Sequence, residues 1–219
     1  MDLSEKSMES HIEGYLVKDQ LYVRRASANY DKSLCMDKEK LIGFILSTQP
    51  EKWDKLKEQH NERVSEMFLK RVHEEIEKRG ALDVLRRGVK DYGVSFDLFY
   101  PRPESGLNEN LMKLHQANTF SVIRQLYFSE KNNKSIDLAI FINGLPVITM
   151  ELKDRLSGSG YTVKDAIDQY KGRDVHEPIF KFGRCLVHFA LDEELVYMTT
   201  KLEVVERVNP LTSIFPVTA

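Results

Sequence analysis

The spacing of apolar positions changes once along this chain, near residue 90. Before that point it is helical. Apolar residues at Met8, Ile12, Tyr15 and Leu16 fall on one side of a helix running to Val17. Asp37 suits the cap of a second helix carrying Leu41, Ile42, Ile45 and Leu46. Pro50 suits the first turn of a third, long helix. Its stripe is Trp53, Leu56, Val64, Met67, Phe68, Val72 and Ile76, with His60 filling the gap and Gly80 ending it. A short helix follows from Ala81 to Arg87 and stops at Gly88. The stripe has no sustained heptads, so it reads as core packing and not as a coiled coil.

After residue 90 the period is two. Val94, Phe96, Leu98 and Tyr100 alternate as in a strand. Pro101 to Gly106 is a loop, Asn108 to Gln116 a short helix, and Thr119 to Phe128 β-rich. Ser135 to Ile142 and Leu145 to Leu152 are two strands flanking Asn143-Gly144, the strongest short-range hairpin signal. Ser157 to Gly160 is a Gly/Ser loop, and Val163 to Lys171 a helix. Cys185 to Ala190 and Leu195 to Thr199 are further strands. Helices before, within and around one sheet imply an α/β fold, with a mixed central sheet and a helical N-terminal elaboration.

Composition narrows the classes. The chain has 219 residues, which suits one domain or one domain with an appendage. It is 42% hydrophobic and 30% charged, which is globular and not disordered. Thirty-two Lys+Arg against 34 Asp+Glu leave a net charge of −2, which argues against nucleic-acid binding through bulk positive charge. A local patch remains open: Arg86, Arg87, Lys90, Lys131, Lys134, Arg155, Lys171 and Arg173 are the candidates to meet DNA phosphates. Cys35 and Cys185 lie far apart and fit free thiols in a reducing compartment. The first residues show no secretory signal, and no apolar run reaches the roughly 20 residues of a membrane span. The expectation is a soluble cytoplasmic protein.

The hairpin carries the chemistry. Its strands are apolar on both faces, yet Asp137, Glu151 and Lys153 interrupt them. Charges in such strands are rarely buried unless they are paired or bind a metal. Glu151 and Lys153 are two residues apart on a strand and so share a face. Two carboxylates on paired strands suit a hard divalent cation such as Mg²⁺, or Mn²⁺ in its place. A lysine beside them suits a phosphate oxygen or an attacking water, as in metal-dependent phosphodiester hydrolysis. Pairing of Asp137 with Glu151 sets a condition. A strict two-residue turn puts 142 opposite 145, hence 137 opposite 150, with the two acids on opposite faces. An odd-length loop or a bulge is required, most simply a three-residue connection with Gly144 left-handed. The six histidines show no zinc spacing, and the chain has neither a P-loop nor a dinucleotide fingerprint.

The spacing of Asp137, Glu151 and Lys153 resembles the PD-(D/E)xK nuclease superfamily. The surrounding words resemble, more narrowly, the N-terminal nuclease domain of the R (restriction) subunit of type I restriction-modification enzymes. They are Asp137-Leu138, Asn143-Gly144-Leu145-Pro146, Glu151-Leu152-Lys153, Thr48-Gln49-Pro50, Phe68-Leu69-Lys70-Arg71, Leu82 to Gly88, Asp91-Tyr92-Gly93-Val94 and Val196 to Thr200. The resemblance covers roughly Met8 to Leu202. It implies a restriction-endonuclease-like core, with Asp137 and Glu151 as metal ligands and Lys153 as the catalytic lysine. Relatives often add Gln-x-x-x-Tyr on the next helix. Here Gln169 takes the Gln position, Arg173 stands where the Tyr is expected, and Tyr170 directly follows the Gln. A first-helix acid often completes such sites. Glu9 or Glu13 fits, and Met8-Glu9-x-x-Ile12 favours Glu9.

The same resemblance implies Mg²⁺-dependent cleavage of double-stranded DNA within a complex holding methylation and specificity subunits. An ATP-driven motor belongs to the parent subunit, and ATP is not expected on these 219 residues. A single nuclease domain is expected over 1–202, helix-rich to residue 90 and sheet-rich from 91. Residues 203–219 depart from the family pattern, which implies either an excised domain or an early-terminated reading frame. The alternative function is a non-catalytic nuclease-like module for assembly or DNA docking.

Overall fold

The structure, a computed structural model, describes residues 5–105, 107–154, 161–202 and 215–216. The Ser157–Gly160 loop, Arg155 and all of the 203–219 tail except 215–216 lie outside the described residues. In chain order the elements are α1 (Glu5–Lys18), β1 (Val23–Arg25), β2 (Tyr30–Asp31), β3 (Met36–Asp37), α2 (Lys38–Thr48), α3 (Pro50–His60), α4 (Val64–Arg79) and α5 (Ala81–Arg87). Then come β4 (Val89–Asp91), β5 (Val94–Phe96), α6 (Glu109–Gln116), β6 (Phe120–Tyr127), β7 (Ser135–Ile142) and β8 (Leu145–Leu152). The last are α7 (Val163–Lys171), β9 (Val187–Leu191), β10 (Val196–Thr199) and β11 (Phe215–Pro216).

The fold is α/β with a mixed central sheet flanked by helices. Among the described residues seven strands run in the order β1-β6-β7-β8-β9-β10-β11. The segment β6-β7-β8 is antiparallel, while β1 on β6 and β8 on β9 are parallel. The connection from β8 to its parallel neighbour β9 runs through α7, as a parallel pair requires. Along β7, Leu138 packs with Val122, Leu152 and the apolar side of α1. Ala139 and Phe141 belong to the opposite cluster, with Val163, Ala166 and Tyr170 of α7. Helices α2 to α5 build a third cluster over Ile140, Leu145 and Val147.

Local chemistry explains the elements. The Asp37 carboxylate accepts from Lys40 N and caps α2. Pro50 opens α3, and Gly80 closes α4 at φ 81°. The long helix expected from Pro50 to Gly80 is two helices. Asn61 takes φ 52°, ψ −133°, and a single 3₁₀ turn over Asn61–Arg63 separates α3 from α4. The apolar stripe continues across the break because Trp53 and Leu56 of α3 and Phe68 and Val72 of α4 enter the same core. The strand expected over Val94–Tyr100 is only β5, paired with β4 in a separate two-stranded ribbon.

The β7–β8 turn has two residues and is itself buried. Asn143 takes φ 49° and Gly144 φ 86°, as a primed turn requires. Asn143 Nδ2 donates to Leu98 O at 2.9 Å and to Asn118 Oδ1 at 3.0 Å, while its Oδ1 accepts from Thr119 N at 2.7 Å. Asp37 N donates to Gly144 O at 2.8 Å, so the start of α2 lies against the turn. A Cβ on Gly144 would meet Asp37 O at 2.3 Å and Leu41 N at 2.8 Å. Gly144→Ala therefore combines backbone strain with a clash against main chain. It is expected to lower stability by about 3–5 kcal/mol, read as a shift in the urea midpoint.

Candidate active site

The site begins with the register of β7 and β8. At the turn Ile142 faces Leu145 and Phe141 faces Pro146. The register then shifts between Ile140 and Phe141, and beyond it Ile140 faces Ile148, Ala139 faces Thr149 and Leu138 faces Met150. Val147 is the extra residue, a bulge in β8. Continued by one residue, this register sets Asp137 against Glu151 on the face that carries Ala139 and Thr149. The required correction comes from a bulge, with a two-residue turn and Gly144 left-handed, and not from a three-residue connection.

Glu151 has no exposed surface. Gln169 Nε2 donates to its Oε2 at 2.6 Å, and Arg173 Nη2 donates to its Oε1. Arg173 also donates to Ser135 O at 2.6 Å, and its guanidinium carbon lies 5.2 Å and 5.9 Å from the ring centres of Phe128 and Phe180. Helix α7 is held at its start. Thr162 Oγ1 accepts from Lys164 N, the Asp165 carboxylate accepts from Thr162 N at 2.7 Å, and Asp192 accepts from Val163 N at 2.9 Å. Val163, Ala166 and Tyr170 bury the other side of the helix, leaving Gln169 toward Glu151. Burial pushes the Glu151 carboxyl from its ordinary 4.5 up to about 8, opposed by Arg173 and reinforced by Asp137.

Asp137 is half-buried and held at both oxygens. Leu152 N donates to Oδ2 at 2.7 Å, and Gln125 Nε2 to Oδ1 at 3.2 Å. The same Gln125 nitrogen donates to Glu9 Oε1 at 2.8 Å. Glu9, 2% exposed, therefore joins the edge of the site, and Arg124 Nε lies 3.4 Å from its Oε2. Glu13 instead pairs with Arg24 at 3.0 Å and Arg124 at 3.7 Å. Lys153 continues the β8–β9 ladder by donating its N–H to Leu191 O at 2.9 Å, and its charge favours the ionised form of Glu151. Its ammonium lies 6.0 Å from the centre of the Tyr161 ring.

Tyr170 does not reach the two carboxylates. It is buried, and its hydroxyl meets Thr149 Oγ1 at 2.8 Å, which in turn meets His188 Nδ1 at 2.7 Å. Burial lowers His188 to about 4, so this chain of three is neutral near pH 7. Gln125 and the Thr149–His188 pair are the residues that the sequence reading missed. The polar pair Arg124-Gln125 inside an otherwise apolar strand was the available signal for the first.

Among the described residues, no group of three or more His, Cys, Asp or Glu is placed to hold a metal. Asp137 and Glu151 are two hard oxygen donors on neighbouring strands. That donor set fits Mg²⁺, which takes one or two carboxylates and keeps its waters. It does not fit a structural zinc cage.

A family model described as the N terminus of the type I restriction enzyme R protein matches residues 32–207. The chain belongs to this family, and its mixed sheet with flanking helices is a restriction-endonuclease-like fold. No curated protein matches the chain. No helix among the described residues is long and apolar enough to cross a membrane.

The raised Glu151 has a consequence for stability. Between about 4.5 and about 8 the folded state holds a proton that the unfolded state has lost. This contribution is full below the lower value and drains as pH rises through the upper one. In urea titrations without divalent metal, wild-type stability is expected to fall over that window relative to Glu151→Gln. Parallel pH profiles would mean that Arg173 keeps the carboxylate ionised throughout.

Proposed function

We propose that this chain is the Mg²⁺-dependent endonuclease domain of a type I R subunit, hydrolysing phosphodiester bonds of double-stranded DNA. The observation that supports it is the register of β7 and β8, which one residue past the Leu138–Met150 pair brings Asp137 beside Glu151, where its charge acts on the Glu151 carboxyl, with Lys153 two residues beyond. Asp137 and Glu151 would hold the cation, Mg²⁺ or Mn²⁺. Such a cation supplies charge neutralisation at the phosphate and a more acidic water. Lys153 offsets the negative charge that grows on the phosphate oxygens. Gln169 and Arg173 orient Glu151 through one oxygen each. Leu152 N fixes Asp137 from the neighbouring strand.

The near-neutral net charge gives the domain little hold on DNA by itself. Grip and site selection then fall to the assembled enzyme in the cytoplasm, with its methylation and specificity subunits and the ATP-driven motor of the parent R subunit. One observation favours a second reading, a nuclease-like module for assembly or DNA docking. All four oxygens of Asp137 and Glu151 already accept hydrogen bonds from the protein, and Arg173 is a resident cation beside Glu151.

The two readings part on plasmid cleavage by the complete R subunit, assembled with its partners, ATP and Mg²⁺. Asp137→Ala, Glu151→Ala and Lys153→Ala are each expected to cut at least about a hundredfold more slowly. The carboxylate variants also lose divalent-ion binding, while Lys153→Ala keeps it, because both ligands remain. Wild-type cleavage by Asp137→Ala or Lys153→Ala would place the chemistry elsewhere and leave the docking module.

A further inference from the structure

The pairing of β6 with β7 contains an irregularity of a different kind from the bulge in β8. Arg124 faces Leu138 and Leu126 faces Ile136, so the offset is the same on both sides. No residue is inserted. Gln125 falls between, abreast of Asp137, and the ladder lapses at that one position. The cause is its backbone: Gln125 takes φ 49°, a left-handed conformation inside a strand of the central sheet. For a residue with a Cβ this costs free energy, and it persists only where the surroundings compensate. An extended residue here would complete the ladder without strain.

The compensation is on the carboxamide. Its nitrogen donates to Glu9 Oε1 at 2.8 Å and to Asp137 Oδ1 at 3.2 Å, and its oxygen accepts from Ser135 Oγ at 2.7 Å. Glutamine has two amide protons, one for each carboxylate. We infer that Gln125 is a positioning residue of the site: it ties Glu9 of α1 to Asp137 of β7 and fixes the plane of the Asp137 carboxylate. With Leu152 N on Oδ2 and Gln125 on Oδ1, Asp137 is pinned at both oxygens. Each oxygen keeps a second lone pair for a cation. The backbone strain at 125 is the cost of aiming one amide at two acids. This inference rests on the nuclease reading, since it assigns Asp137 to a cation.

The test uses variants that suit the backbone. Glycine takes positive φ freely, and asparagine tolerates it but is one methylene too short to bridge both acids. Gln125→Gly, Gln125→Asn and Asp137→Asn are made in the whole chain. Mn²⁺ affinity is read by electron paramagnetic resonance, and folding by the thermal midpoint. The expected result is wild-type Mn²⁺ binding that Asp137→Asn removes. Both Gln125 variants should weaken it about 10–100-fold at a near-native midpoint. Wild-type affinity in the Gln125 variants, with Asp137→Asn still defective, would overturn the inference and leave the nuclease reading standing. Unfolding of both Gln125 variants would overturn it too, assigning Gln125 to the framework. Absence of Mn²⁺ binding by the wild type would remove both.

Discussion

A fully buried carboxylate in the middle of the sheet is the constraint to which the rest of the molecule answers. Glu151 lies on β8, flanked by β7 and β9, with no exposed surface. Leaving a buried polar group without its hydrogen-bond partners costs about 1–3 kcal/mol for each one lost. That is a large share of the roughly 5–15 kcal/mol that holds a domain together. The compensation comes from Arg173 and Gln169, and each has its own supports. Arg173 needs the Ser135 carbonyl and the Phe128 and Phe180 rings. Gln169 needs α7 in one orientation, which its capping residues and Asp192 provide. One buried carboxyl group therefore fixes a helix, an aromatic layer and the start of a strand.

A second constraint is parity. A tight turn at Asn143-Gly144 cannot be lengthened, because its side chain and main chain are bonded to Leu98, Asn118, Thr119 and Asp37. The residue count that lets Asp137 meet Glu151 has to be corrected within the strand, and Val147 does so. The division of labour is physical. The turn anchors the hairpin beneath α2, and the bulge turns Thr149 and Glu151 to the face covered by α7.

Much of this was legible in the sequence, and the failures have causes. Strands β7 and β8 and helix α7 have the expected boundaries, because long apolar periods there end in strong turn or cap residues. The break at Asn61 was hidden because His60 continues the stripe, its ring packed edge-on against Tyr92. Strands β1 to β4, of two or three residues, are too short to show a period. Glu151 and Gln169 are separate words in the sequence, and the fold joins them at 2.6 Å. Tyr170 is adjacent to Gln169 and yet serves the core, since neighbours on a helix point about 100° apart. Gln125 carries its information in a backbone angle, which residue type does not reveal.

The family match begins at residue 32, yet α1 and β1 precede it, β1 as a strand of the central sheet and α1 packed against that sheet. Met8, Ile12, Leu16 and Val17 of α1 pack against Leu138 and Leu152. Leu152 stands between Glu151 and Lys153, and its N–H holds Asp137. Glu9, one residue after Met8, reaches Asp137 through Gln125. Positions 125, 137 and 151 thus lie abreast on three neighbouring strands. Helix α1 braces the row from one face, and α7 braces it from the other. The first and last α-helices among the described residues fix one pair of acids, so the geometry of that pair depends on the whole domain being folded.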